Sequence, residues 1–139
     1  MAYRSALCLA FCAAIGLSVA TPLSGGCKAA SEHRKLDQAS QQNIQKTRVN
    51  SGKEMWRLDA PQVAAREAAS LDAGYKGAPE KAAVRALKGD DRMQVFQYSS
   101  TDGRLLELTL KKPEWLLPWA GIYKMEMWVV TDVKTTCGK

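Results

Sequence analysis

Hydrophobic and polar positions divide the chain into three stretches of different character. Residues 5–20, SALCLAFCAAIGLSVA, form one apolar run without a charge. Residues 28–53 are the reverse: Leu36, Ile44 and Val49 are the only large aliphatics, no aromatic is present, and Ser, Gln, Asn, Lys and Arg dominate. From about Glu54 apolar residues return at regular spacings. A segment as polar as 28–53 buries too little apolar surface to offset its ordering entropy, so it predicts a flexible tether. A loose amphipathic helix over 32–45 is the alternative.

The periodic part predicts helices first and strands afterwards. Asp59 can cap a helix that has Pro61 in its first turn, and Val63, Ala64, Ala68 and Leu71 make a stripe at helical spacing before Gly74. Gly77-Ala78-Pro79-Glu80 opens a second expected helix, with Val84 and Leu87 inward and Gly89 as its C-cap. Met93–Tyr98 and Arg104–Lys111 then alternate as strands around Ser99–Gly103, whose Asp102-Gly103 pair is a strong hairpin signal. A third strand is expected over Ile122–Val133. The expected class is α+β: two short helices followed by a small three-stranded antiparallel sheet. The organisation reads as a leader over 1–26, a tether over 27–53 and a small domain over 54–139.

Arg4 ahead of the apolar run, and the run's length, fit a secretory signal better than a membrane span, which needs about 20 apolar residues. Two processing sites compete. Ser18-Val19-Ala20 offers small residues to ordinary signal peptidase. Leu23-Ser24-Gly25-Gly26-Cys27 resembles the lipobox of bacterial lipoproteins, although Leu23 lies one position further from the Cys than the usual Leu. That resemblance implies a diacylglyceryl thioether and acyl chain on Cys27, a membrane anchor in the cell envelope, and, with Lys28 following, the outer membrane in a host that has one. It covers only the leader.

Of the four cysteines, Cys8 and Cys12 leave with the leader. Cys27 and Cys137 remain, and they have two exclusive fates. A lipidated Cys27 leaves Cys137 as an odd thiol. Cleavage after Ala20 leaves both free to form one disulfide in an oxidising compartment, periplasmic or secreted.

The least regular segment is Lys111–Gly121, in which Pro113 and Pro118 interrupt any regular element and Trp115, Leu116, Leu117 and Trp119 crowd together. Two readings stand: the segment folds back over the core, or it presents an aromatic patch to a partner or a membrane interface. Trp56 and Trp128 could extend either cluster.

Charge and chemistry narrow the function less. The net charge is +6, which favours anionic envelope components or acidic proteins. The chain contains no nucleic-acid motif, phosphate loop, dinucleotide fingerprint or metal-ligand spacing. His33 is the sole histidine and falls in the expected tether, which leaves the domain without a catalytic triad. Asp90-Asp91 reads as a solvated turn, and Glu107 and Glu126 as partners in ordinary ion pairs. The expectation is a non-catalytic, cofactor-free exported protein. It is either an anchored lipoprotein that binds a protein or envelope component through the tryptophan segment, or a small ligand-binding domain closed by Cys27 and Cys137.

Overall fold

Residues 27–138 are described by the computed structural model. The apolar leader, with Cys8, Cys12 and both expected cleavage sites, lies outside the described residues. Strands β1 (Ala30–His33), β2 (Val84–Gly89), β3 (Met93–Ser99), β4 (Arg104–Lys111) and β5 (Val129–Cys137) form one antiparallel sheet in the order β1-β5-β4-β3-β2. Two α-helices accompany it, α1 (Gln38–Ile44) and α2 (Ala60–Leu71), and α1 continues into a π-helical turn over Gln45–Val49. The class is α+β, as the pattern predicts.

The β3–β4 hairpin forms where the alternation places it. Phe96 faces Leu108 and Tyr98 faces Leu106 across the register, and all four are buried. Gly103 closes the turn at φ 84, a conformation that favours glycine. Helix α2 lays Val63, Ala64 and Ala68 on this face. Its small side chains let it sit close to the sheet, and Val130, Val133 and Trp128 complete the core. Each fully buried leucine there contributes about 2 kcal/mol of transfer free energy.

Three expectations about the periodic part of the chain need correction. The sheet has five strands rather than three. The second expected helix does not form: after a 3-10 turn at Pro79–Lys81, the chain extends as β2, with Val84 opposite Tyr98. The helical preference of Ala-rich sequence amounts to tenths of a kcal/mol per residue. An uncovered β3 edge would leave a whole row of backbone groups without protein partners, and pairing outweighs the preference. The third expected strand starts seven residues late, at Val129 rather than Ile122. Lys124 has φ 50, outside the strand region, and the backbone groups of Met125, Met127 and Trp128 bond elsewhere.

The expected tether carries regular structure. Ser31, Glu32 and His33 pair with Lys134, Val133 and Asp132, so β1 covers the β5 edge. Asp37 caps α1, accepting from the Ala39 amide at 3.2 Å and the Ser40 hydroxyl at 2.8 Å. Leu36, Ile44 and Val49, few as they are, all meet one small apolar cluster with Leu58, Trp115, Leu116, Met127 and Val129.

Candidate functional site

The tryptophan segment is a 3-10 turn, Glu114–Trp119, followed by an irregular stretch to Trp128. Its backbone depends on amide side chains of the N-terminal segment. Buried Gln45 donates through Nε2 to the Met125 carbonyl at 3.1 Å, while its Oε1 accepts the Met127 amide at 2.8 Å. The same Nε2 donates to Asn50 Oδ1 at 2.9 Å. Asn50 in turn donates to the Trp119 carbonyl at 2.8 Å, and Gln42 reaches the Trp115 carbonyl at 3.4 Å. The Gln and Asn residues that make this segment read as disordered are the ones that satisfy a loop with no strand or helix of its own.

A loop held this way presents apolar side chains to solvent. Ile122 is 88% exposed and Tyr123 80%, and Leu117, Trp119 and Met125 are also exposed. Met55 stands exposed across from them. Among the described residues, Leu87 on β2 is the only other exposed large hydrophobic side chain. Behind the loop lies a groove of about 500 Å³, walled by Val49, Met55, Leu58, Ile122, Tyr123 and Met125.

The five tryptophan-segment candidates divide. Leu117 and Trp119 lie on this exposed surface. Leu116 is fully buried and Trp115 half-buried, both in the small cluster. Trp128 belongs to the main core, with the Lys112 ammonium 4.8 Å from its ring centroid. Leu116 and Trp128 are therefore corrected as surface candidates: they hold the segment from beneath. Trp56 packs on the main core between the Arg57 and Arg66 guanidiniums, 4.4 and 4.6 Å from its centroid. Pattern reading missed Ile122, Tyr123 and Met125 because their alternation suits a strand.

Cys27 and Cys137 are joined by a disulfide, their Cα atoms 5.5 Å apart. Glu126 is buried and clamped by Arg92 through both carboxylate oxygens, at 3.1 and 3.0 Å. Glu107 stands opposite Lys134 and Gln97 in the sheet, away from Glu126. Asp90 accepts the Arg92 and Met93 amides, each at 2.8 Å, in the β2–β3 turn.

Two titratable groupings come only from the fold. His33 Nδ1 lies 2.7 Å from Asp132 Oδ1, and that contact holds the Asp132 carboxyl below its ordinary range. Asp132 also accepts the Thr131 hydroxyl, while among the described residues no hydroxyl or thiol bonds the other histidine nitrogen. The second grouping is Asp72, 2% exposed at the end of α2. It accepts the Thr101 hydroxyl at 2.6 Å and amide at 2.9 Å, Tyr98 Oη at 2.7 Å and the Gly74 amide at 3.1 Å. Burial pushes its pKa up, but these bonds, with Thr101 foremost, outweigh it and hold the carboxyl at about 2. Burial and the Asp72 bond push the Tyr98 phenol up to about 12. This grouping fastens helix to hairpin.

A second cleft, of about 580 Å³ between β1 and α2, is lined by charged residues, among them Arg34, which pairs with Glu67 across it, and Arg57, which pairs with Glu54. Among the described residues no group of three or more His, Cys, Asp or Glu side chains could hold a metal ion, and no helix is long and apolar enough to cross a membrane. Compared with family models, curated proteins and solved structures, the chain matches none.

Proposed function

We propose that this is an exported, non-catalytic binding domain, periplasmic or secreted, closed by the Cys27–Cys137 disulfide and working without a cofactor. It recognises apolar material through the Leu117–Met125 loop and the groove behind it. The observation that carries this reading is the loop itself. Five exposed apolar side chains stand on a backbone fixed by Gln45, Asn50 and Gln42. A soluble domain does not ordinarily leave so concentrated a patch open, and a backbone held in advance costs little to order on binding. The disulfide supports the oxidising compartment, as does Arg4 ahead of an uncharged apolar run.

Two measurements test it. Intact-mass analysis of the exported chain should find an N-terminus at Thr21 and a gain of two hydrogens on reduction. A diacylglyceryl adduct on Cys27 would establish the anchored lipoprotein instead. Titration with a monomeric lysophospholipid should shift the fluorescence contributed by Trp119, and Ile122→Asp should abolish the shift. An unchanged spectrum overturns the binding reading.

A further inference from the structure

The surface around the loop says what kind of apolar partner it meets. No Asp or Glu occurs in residues 38–53 or 115–125, the segments that flank the groove, whereas Lys46, Lys53 and Lys124 are exposed there. Of the carboxylates that bound these segments, Glu54 pairs with Arg48 and Arg57 and Glu126 with Arg92, while Asp37 caps α1 and Glu114 opens the 3-10 turn. Within the two segments that wall the groove, the exposed charged side chains are all basic. Its aromatic members are Trp119 and Tyr123, the two residue types that favour the headgroup level of a bilayer, while Ile122, the most exposed apolar residue of the tip, offers a side chain suited to the acyl region.

We infer that the occupant of this surface is an anionic phospholipid bilayer, into which Ile122, Tyr123 and Trp119 insert while Lys53, Lys124 and Lys46 pair with headgroup phosphates. This rests on the binding reading above and names its partner. A soluble acidic protein would share the charge complementarity. A tip of isoleucine, tyrosine and tryptophan on a protruding turn, with Gly121 at φ 73 and Lys124 at φ 50, is shaped to enter a soft apolar layer instead of matching a rigid surface. Lys124 on the turn and the exposed lysines of the N-terminal segment follow the pattern of interfacial binding, in which each basic residue near an anionic surface strengthens attachment several-fold.

The test is co-sedimentation of the disulfide-closed chain with sucrose-loaded vesicles, of phosphatidylcholine alone or mixed with phosphatidylglycerol. Binding should be about tenfold stronger to the mixed vesicles and should weaken with added salt. Ile122→Asp should lower it about tenfold or more, and K53E/K124E should remove the preference for phosphatidylglycerol. All three positions are exposed, so the thermal midpoint should stay near that of the parent chain and report that the variants fold. Equal binding to both vesicle types, or binding indifferent to Ile122→Asp, overturns the inference. If vesicles do not bind but monomeric lysophospholipid still shifts Trp119 fluorescence, the bilayer is overturned and the binding domain stands. If neither probe binds, both readings fall.

Discussion

Two parts of this molecule solve the same problem by different means. The part built from α2 and strands β2 to β5 is held by side chains of Phe96, Leu106, Leu108 and Leu110 against Val63, Ala64 and Ala68, with backbone groups satisfied by the ladder itself. The part built from residues 34–58 and the Glu114–Trp128 loop has a small apolar cluster, and its irregular backbone is satisfied by the amides of Gln42, Gln45 and Asn50. One gains its order from period and area, the other from a few well-placed hydrogen bonds. The second part carries the exposed loop, and the difference suits a binding surface. Apolar residues that would ordinarily be spent on a core remain on the outside.

The broadest way to break the comparison is to cut the bond that ties the N-terminal segment to the sheet. Replacing Cys27 and Cys137 by serine should lower stability by about 4–5 kcal/mol, since the bridge spans 110 residues of separation. Urea unfolding of the two forms measures it. A single transition in both would mean that the two parts unfold together, and a split transition in the variant would mean that the bridge alone couples them.

Within the first part, Leu108→Ala removes a fully buried side chain facing Phe96 and should cost about 3 kcal/mol, read as a lower urea midpoint with little change in slope. Gln45→Ala probes the second part. It leaves the Met127 amide and the Met125 carbonyl without their partner, at about 2 kcal/mol. Hydrogen exchange should rise at residues 119–127 well before it rises in β3 or β4, and equal acceleration in both places would mean that the two parts do not open separately.

The smallest and most conditional effect is that of pH on Asp72. Its folded pKa of about 2 lies below the ordinary 3.8, so the ionised carboxyl stabilises the fold above about pH 4. That contribution fades as pH falls towards about 2. In Asp72→Asn the loss between pH 4 and pH 2 should shrink relative to the parent, as followed by thermal midpoints.

How legible this was follows from the same contrast. β3, β4, the Asp102-Gly103 turn and the Val63–Ala68 stripe are local signals of period and turn chemistry, and they sit within a residue or two of where pattern places them. β2 was not legible, because Val84–Gly89 is a strand only by virtue of the β3 edge beside it. The N-terminal segment misleads in the other direction. Composition predicts disorder from many amides and few aliphatics, but here the amides find a loop backbone and Leu36, Ile44 and Val49 all reach one cluster. Of the surface, Leu117 and Trp119 were legible from their crowding with two prolines. Ile122, Tyr123 and Met125 were hidden in an alternation that Gln45 overrides.

The disulfide has a topological consequence. With Cys27 bonded to Cys137, the intervening chain is a covalent ring, and β1 and the end of β5 form its seam. A ring survives being cut once. A protease that nicks the exposed turn at residues 121–124 opens the ring into a linear molecule but releases no fragment. The severed halves stay joined until the sulfur bond is reduced. For a domain that offers its most vulnerable turn to the outside, a first cleavage is damage without dismemberment.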